Sequence, residues 1–265
     1  MVEKNNKKRR KKKRRKNRKL LVSTAAFITA AVVVVFCLHH VYYKTPYFDL
    51  ISIDIDGNST YSDEYILEKS GIETDKKIFD IDRLKVKENL EKEVYVESAR
   101  VVYELPNKIY LNIVERVDKY QVFFNNEYII IDKDGIVLRT DIEKLELLTI
   151  ESYADVVYNI GDTIQFEGIE NNKKIFDAIG YLNNEYGSET ILSLNVDLNN
   201  SLLFETQYGT AIRINLSEDV NYQIVFAMKI INDRLNNNLT VASGLIDFTK
   251  GDSPVYIEDF KMEEY

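Results

Sequence analysis

One long apolar segment decides which architectures are open to this chain. The nineteen residues Leu20–Leu38, LLVSTAAFITAAVVVVFCL, contain no charged side chain. A helix rises about 1.5 Å per residue, so the segment spans roughly 28 Å, close to the ~30 Å hydrocarbon core of a bilayer. A cleaved signal peptide would have a shorter apolar region followed by a small-x-small site, whereas HHVYY follows here. The sequence therefore predicts an uncleaved membrane-spanning helix over residues 20–43, with two tyrosines at its end in the interface.

A run of basic residues directly precedes the apolar segment. Residues 1–19 hold thirteen of the 35 Lys and Arg and one of the 43 Asp and Glu, so they carry +12 and the remainder carries −20. Basic residues remain on the cytoplasmic side of a membrane, which predicts an N-terminus in the cytoplasm and the bulk of the chain outside the cell membrane. The alternative, binding to nucleic acid, is less favoured because the run adjoins the bilayer and the rest of the chain is acidic. The predicted membrane-surface residues are Lys11, Lys12, Lys13, Arg14, Arg15, Lys16, Arg18 and Lys19.

The next part of the chain has the pattern of a small α+β domain. Alternating isoleucines in ISIDID predict a strand that ends at Gly57-Asn58. Ser62 is a suitable N-cap for a helix that Gly71 would end, and a second helix is predicted between Asp80 and Glu91. The alternating segments ARVVYEL and KIYLNI flank a Pro-Asn turn, which predicts a hairpin. The predicted order is strand, helix, helix, strand, strand.

The C-terminal half is richer in predicted strands. Asp134-Gly135 predicts a hairpin between two isoleucine-rich strands. Two amphipathic helices are predicted, around Ile175–Tyr186 and Val220–Leu235, with apolar residues at helical spacing that favour packing on a sheet. We expect the fold class α+β, with these helices on an antiparallel sheet whose last strands lie at Gly244–Phe248 and Pro254–Ile257.

Several segments, taken in order, resemble the FtsQ/DivIB family of bacterial cell-division proteins. The segments are FDLISIDIDGN, YILEKSGI, VYVESARVVYELPNKIYLNIVER, IIIDKDGIVL and GLIDF. The resemblance implies a basic cytoplasmic tail (1–19), a membrane helix (20–43), a POTRA domain (46–116), a β domain (117–257) and a short acidic tail (258–265). The chain departs from the family pattern where a proline often precedes the second POTRA strand, since Glu93-Val94 stand there.

The resemblance implies a non-enzymatic protein of the division septum. Members of this family bind the small bitopic proteins FtsL and DivIC, the latter a counterpart of FtsB, and support the septal peptidoglycan synthase complex. The family's main partner contact is an edge strand late in the β domain, to which a partner strand is added. By position, the expected residues are Ser253, Pro254, Val255, Tyr256 and Ile257.

The residue types favour the absence of catalysis and of cofactors. His39 and His40, at the end of the predicted membrane helix, are the only histidines, and Cys37 within it is the only cysteine. The part beyond residue 43 therefore has no residues for a His-dependent nucleophile or a Cys/His zinc site. Two alternatives remain open: another POTRA-bearing envelope protein of secretion or translocation, and a wall hydrolase that uses paired carboxylates. The first would ordinarily show repeated POTRA units, which the sequence lacks.

Overall fold

The computed structural model describes residues 2–197, 199–251 and 253–260, with side chains from Leu21 onward. It divides into two compact units, each described by itself. The first contains the residues up to Leu90 together with Ser98–Ile113, and the second contains Glu91–Glu97 and the residues from Val114 onward. The side chains of the predicted membrane-surface residues, Lys11 to Lys19, lie outside the described part, so that prediction stays open.

The first unit begins with one long helix, α1 (Val2–Lys44). Its segment Leu21–Lys44 is long and apolar enough to cross a bilayer, and none of that segment is buried. The helix is followed by the 3₁₀ turn Pro46–Phe48, whose N-cap is Thr45. A helix with such an apolar surface fits a membrane anchor, as the sequence predicts.

The remainder of the first unit has the predicted β-α-α-β-β order. Its elements are β1 (Ser52–Asp56), α2 (Asp63–Ser70), α3 (Arg83–Leu90), β2 (Val96–Glu104) and β3 (Lys108–Glu115), with a 3₁₀ turn at Ile78–Asp80 before α3. The strands form a three-stranded sheet in the order β1-β3-β2, with β1 parallel to β3. The cap prediction is also confirmed, since the Tyr65 amide donates to Ser62 Oγ at 3.3 Å and Gly71 ends the helix in the left-handed region.

The second unit is built on a nine-stranded sheet. The strands are β4 (Tyr120–Phe124), β5 (Glu127–Ile131), β6 (Val137–Asp141), β7 (Leu148–Ser152), β10 (Ile191–Asp197), β11 (Ser201–Thr206), β12 (Thr210–Asn215), β13 (Gly244–Asp247) and β14 (Val255–Glu258), in the spatial order β14-β13-β12-β11-β10-β7-β4-β5-β6. Two short strands, β8 (Val156–Val157) and β9 (Gln165–Phe166), form a separate pair.

The sheet is mixed, which corrects the expectation of an antiparallel sheet. Three neighbouring pairs are parallel: β4 with β7, β7 with β10, and β12 with β13. Parallel neighbours need a crossover connection. Strands β5 and β6 lie on the connection from β4 to β7, and a helix lies on each of the other two. Helix α4 (Lys173–Tyr186) lies on the connection from β7 to β10, and α5 (Val220–Asn236) on the connection from β12 to β13.

Both helices pack on one face of this sheet and close the main core. The core includes Ile179 of α4, Ile224 of α5, and Phe204 and Ile212 of the sheet, all with no exposed surface. On the opposite face a smaller cluster forms from Leu203, Ala211 and Leu245, against which Phe260 packs. The strand edge that the sequence marks for partner binding therefore belongs to a sheet that is packed on both faces near β13.

Candidate partner-binding edge

The last strand, β14, lies at one edge of the nine-stranded sheet. It pairs antiparallel with β13, so that Val255 is opposite Asp247 and Ile257 is opposite Leu245. Within the described residues, its other side has no neighbouring strand. Of the residues expected at this edge, three lie in the strand, whereas Ser253 and Pro254 lie just before it and Glu258 is its last member.

The hydrogen bonding of β13 determines which backbone groups of β14 point outward. The Phe248 amide donates to the Arg213 carbonyl in β12 at 2.9 Å. Successive strand residues direct their backbone groups to opposite sides, so Leu245 and Asp247 direct theirs to β14. Their partners, Ile257 and Val255, direct theirs back. The N–H and C=O groups of Tyr256 and Glu258 therefore point away from the sheet and can accept another strand.

The side chains of β14 alternate between two environments. Val255 and Ile257 lie on one face and are 43% and 38% exposed, although both are apolar. Tyr256 points to the other face and packs against the main core. An added strand would thus meet outward backbone groups and, on one face, two β-branched side chains, which are the elements of affinity and selectivity in strand addition.

Tyr256 fixes the edge strand to the body of the sheet. Its ring lies across Gly244, where a methyl group would be 2.1 Å from the Tyr256 hydroxyl oxygen. The Arg234 guanidinium lies 3.8 Å from the ring centroid, a cation–π contact. Arg234 also donates from Nε to the Thr240 carbonyl at 3.0 Å and lies 3.5 Å from the Glu258 carboxylate. Sequence reasoning missed this arrangement; its one local signal was the glycine in GLIDF.

Phe260 fixes the chain immediately after the strand. Its amide donates to the Ser243 carbonyl at 3.0 Å. Its ring packs on the cluster of Leu203, Ala211 and Leu245, the face opposite Tyr256. Because β14 is held from both faces, little ordering of the edge would be needed when a partner strand binds.

The other edge of the sheet, β6, is less open. The Val137 amide donates to the Asp162 carbonyl at 2.9 Å, and the Gly161 amide donates to the Val137 carbonyl at 2.8 Å. The Ile164 amide donates to the Gly135 carbonyl at 2.9 Å. The loop 161–164 thus already occupies backbone groups at the start of β6, which a partner strand would need.

The buried carboxylates of the second unit are engaged in ion pairs. Asp132, which begins the predicted DKDG turn, lies 2.6 Å from Arg116 Nη1, and its Oδ1 accepts the amides of Asp134 and Ile136. Asp247 lies 3.1 Å from Arg213 Nη1. In the part of the chain that the structure describes, no group of three or more His, Cys, Asp or Glu side chains could hold a metal ion. These acids serve the fold, and the strand edge is the candidate site.

Comparison with known proteins finds similarity to bacterial cell-division proteins. A family profile described as "POTRA domain, FtsQ-type" matches residues 48–116. The chain is 29% identical over 220 residues to a cell division protein DivIB of Clostridium botulinum strain Hall, a match covering 81% of this chain and 84% of that protein. It is 28% identical to the DivIB of Clostridium tetani over 194 residues, covering 71% and 72%. A shorter match, 34% over 77 residues, covers 30% of the DivIB of Bacillus cytotoxicus.

Proposed function

We propose that this chain, a member of the FtsQ/DivIB family of cell-division proteins, acts as a non-catalytic scaffold anchored in the cell membrane. Its role is in the division machinery, as for the DivIB relatives. The scaffold would bind FtsL-like and DivIC/FtsB-like bitopic proteins outside the membrane and thereby support the septal peptidoglycan synthase complex. Helix α1 would be a single-pass anchor with its basic N-terminal part in the cytoplasm, against anionic lipid.

One observation carries the partner proposal: β14 is an edge strand with outward backbone groups and exposed apolar side chains. We infer that a partner segment pairs with the Tyr256 and Glu258 backbone and lays apolar residues beside Val255 and Ile257. Backbone pairing alone accepts many sequences, so the two side chains would supply selectivity. The Ser253-Pro254 segment, directly before the strand, would border the partner's end.

A pair of variants at Glu258 tests this pairing. Glu258→Pro removes an outward N–H and adds a ring on the free side of β14, while the N–H groups of Val255 and Ile257 still bond to β13. Glu258→Ala is the matched control, because it also loses the contact with Arg234 but keeps the N–H. Both variants are made in the full chain and co-purified from membranes with a DivIC-type partner.

We expect Glu258→Ala to retain binding and Glu258→Pro to weaken it at least about tenfold, since a lost hydrogen bond and a steric conflict together cost more than about 1.4 kcal/mol. A protease-digestion pattern that is equal in the two variants would show that the fold is intact. Equal partner recovery by both variants would rule out the outward face of β14 as the binding edge.

A further inference from the structure

Four exposed apolar side chains surround the C-terminal end of α1 in the first unit. They are 48% to 72% exposed: Phe79 48%, Tyr47 58%, Leu105 63% and Ile51 72%. We propose that this end of the POTRA region lies in the headgroup layer of the bilayer that α1 crosses, with lipid as its binding partner. The inference rests on the proposed anchoring by α1 and assigns a second membrane contact to the folded domain.

The last turns of α1 are fixed onto the domain. Tyr42 donates its hydroxyl to Asp80 Oδ1 at 2.9 Å, and its ring centroid lies 5.6 Å from that of Phe48 and 5.9 Å from that of Phe79. Lys77 Nζ donates to the Thr45 carbonyl at 3.2 Å. These contacts leave no free linker between the helix and the domain, so the domain's position at the bilayer surface follows from that of the helix.

The strand arrangement brings Ile51 and Leu105 to the same end of the domain. Strand β1 begins directly after Ile51 and runs parallel to β3, and the Ile51 amide donates to the Asn107 carbonyl at 2.9 Å. Leu105 opens the turn between β2 and β3, which contains Asn107. Phe79 lies between the helix end and the last residues of β2 before this turn, because its ring contacts Tyr42 and meets that of Tyr103 edge to face at 5.6 Å.

The chemistry of this surface suits the membrane–water interface. Aromatic rings are favoured at the headgroup level, and aliphatic side chains gain free energy when they enter it. Lys77 and Asp80, two charged groups beside the helix end, are engaged with protein partners: Lys77 lies 2.5 Å from Asp49, and Asp80 accepts from Tyr42. The contact should therefore depend on apolar side chains, and should form on zwitterionic lipid as well as on anionic lipid.

The absence of tryptophan from the sequence gives this proposal a direct test. Ile51→Trp and Leu105→Trp each place one fluorophore at the surface in question. The full chain is reconstituted in phosphatidylcholine vesicles whose acyl chains carry bromine near the headgroup, which quenches tryptophan on contact. Two reference positions complete the set: Phe36→Trp within the apolar segment of α1, and Leu192→Trp in β10, which is 59% exposed.

We expect strong quenching at positions 36, 51 and 105, and quenching several-fold weaker at position 192. Tyr42→Ala, which removes the ring contact with Phe79, should reduce quenching at position 51. Quenching at position 36 without quenching at 51 and 105 would overturn this inference and leave the anchor intact. Absence of quenching at all positions would overturn the anchor proposal as well, and equal quenching at 192 would show unspecific adsorption.

Discussion

At the scale of single residues, the edge strand depends on a glycine and an aromatic ring. The hydroxyl end of Tyr256 can lie next to Gly244 because that position has no side chain, and the Arg234 guanidinium contacts the ring. The packing of the Tyr256 ring and its contact with Arg234 each contribute on the order of 1 kcal/mol. They add to the backbone pairing of a short strand, since β14 has four residues paired with β13.

Gly244→Ala should therefore release the edge strand. The added methyl group would displace the Tyr256 ring, and we expect faster hydrogen exchange of the Val255 and Ile257 amides, which point toward β13. In a Tyr256→Ala background the same glycine substitution should add little, because the conflicting ring is gone. Hydrogen-exchange mass spectrometry of the two single variants and the double variant measures this coupling; strictly additive effects would contradict it.

Arg139 gives the second unit a pH-dependent contact. Its guanidinium lies 2.7 Å from the Asp141 carboxylate and 2.9 Å from that of Asp118. The hydrogen bond from Arg139, assisted by the Glu143 amide, holds the pKa of Asp141 below its ordinary value. A lowered folded-state pKa stabilises the fold above the unfolded-state pKa, and that contribution is lost as the pH falls through the folded-state pKa.

Asp141→Asn should thus reduce stability near neutral pH and have no effect at the acidic end. The pKa of Asp141 can be followed directly by the chemical shift of its carboxyl carbon in NMR titrations. In an Arg139→Gln background we expect the shift to return toward the ordinary aspartate value. An Asp141 pKa that is the same in both backgrounds would mean that Arg139 is not the cause.

At the scale of elements, two glycines differ in whether their positions have room for a side chain. Gly57 follows β1 with a φ of +87°, and a methyl group there would lie 2.0 Å from the Ile113 carbonyl oxygen of β3. Since the obstacle is backbone, it cannot rotate away. Gly180 lies within α4, and a methyl group there would meet no other atom within 4 Å.

Gly57→Ala should destabilise the first unit by more than about 2 kcal/mol, whereas Gly180→Ala should stabilise the second by about 0.5–1 kcal/mol. Urea titration of the micelle-bound chain, followed by hydrogen exchange of peptides from each unit, separates the two effects. A neutral Gly57→Ala variant would mean that β1 and β3 can move apart at this point without cost.

Local patterns predicted most elements but not their arrangement. The POTRA order follows from alternation, a serine cap and a glycine stop, all of which are local features. Strand β7 was not predicted, since LTIES has one buried isoleucine and no turn signal on either side. It is nonetheless the strand that joins β4 to β10, and without it the parallel pairings cannot be foreseen.

The candidate edge was predictable in position only. Its residues come from the family resemblance, and three of the five lie in β14. Which residues of β14 direct their N–H and C=O groups outward depends on the hydrogen bonds between β12 and β13. Strand β13 lies shortly before β14 in the sequence, but Arg213 of β12 lies more than forty residues before it. Such long-range pairing leaves no trace in the local sequence, and neither does the contact of Arg234 with Tyr256.

At the scale of the whole molecule, the charge distribution and the two proposed contact surfaces suit the role of a membrane-anchored scaffold. Residues 2–19, which carry +12, belong to the N-terminal part of α1, and the remainder of the chain carries −20. The acidic part includes the sheet edge proposed for partners, while the surface around Tyr47 and Ile51 is proposed for lipid. A scaffold needs both: a fixed place at the membrane and an open strand that partners can reach.

The orientation of the chain can be tested because Cys37 is its single cysteine. In a Cys37→Ser background, Asn5→Cys places a thiol in the basic segment and Leu192→Cys places one on an exposed position of β10. If basic residues hold the N-terminus inside, a membrane-impermeant maleimide should label position 192 in cells whose wall has been removed, and position 5 only after the membrane is permeabilised. Labelling of position 5 in sealed cells would reverse the proposed orientation, and with it the side of the membrane on which β14 could meet its partners.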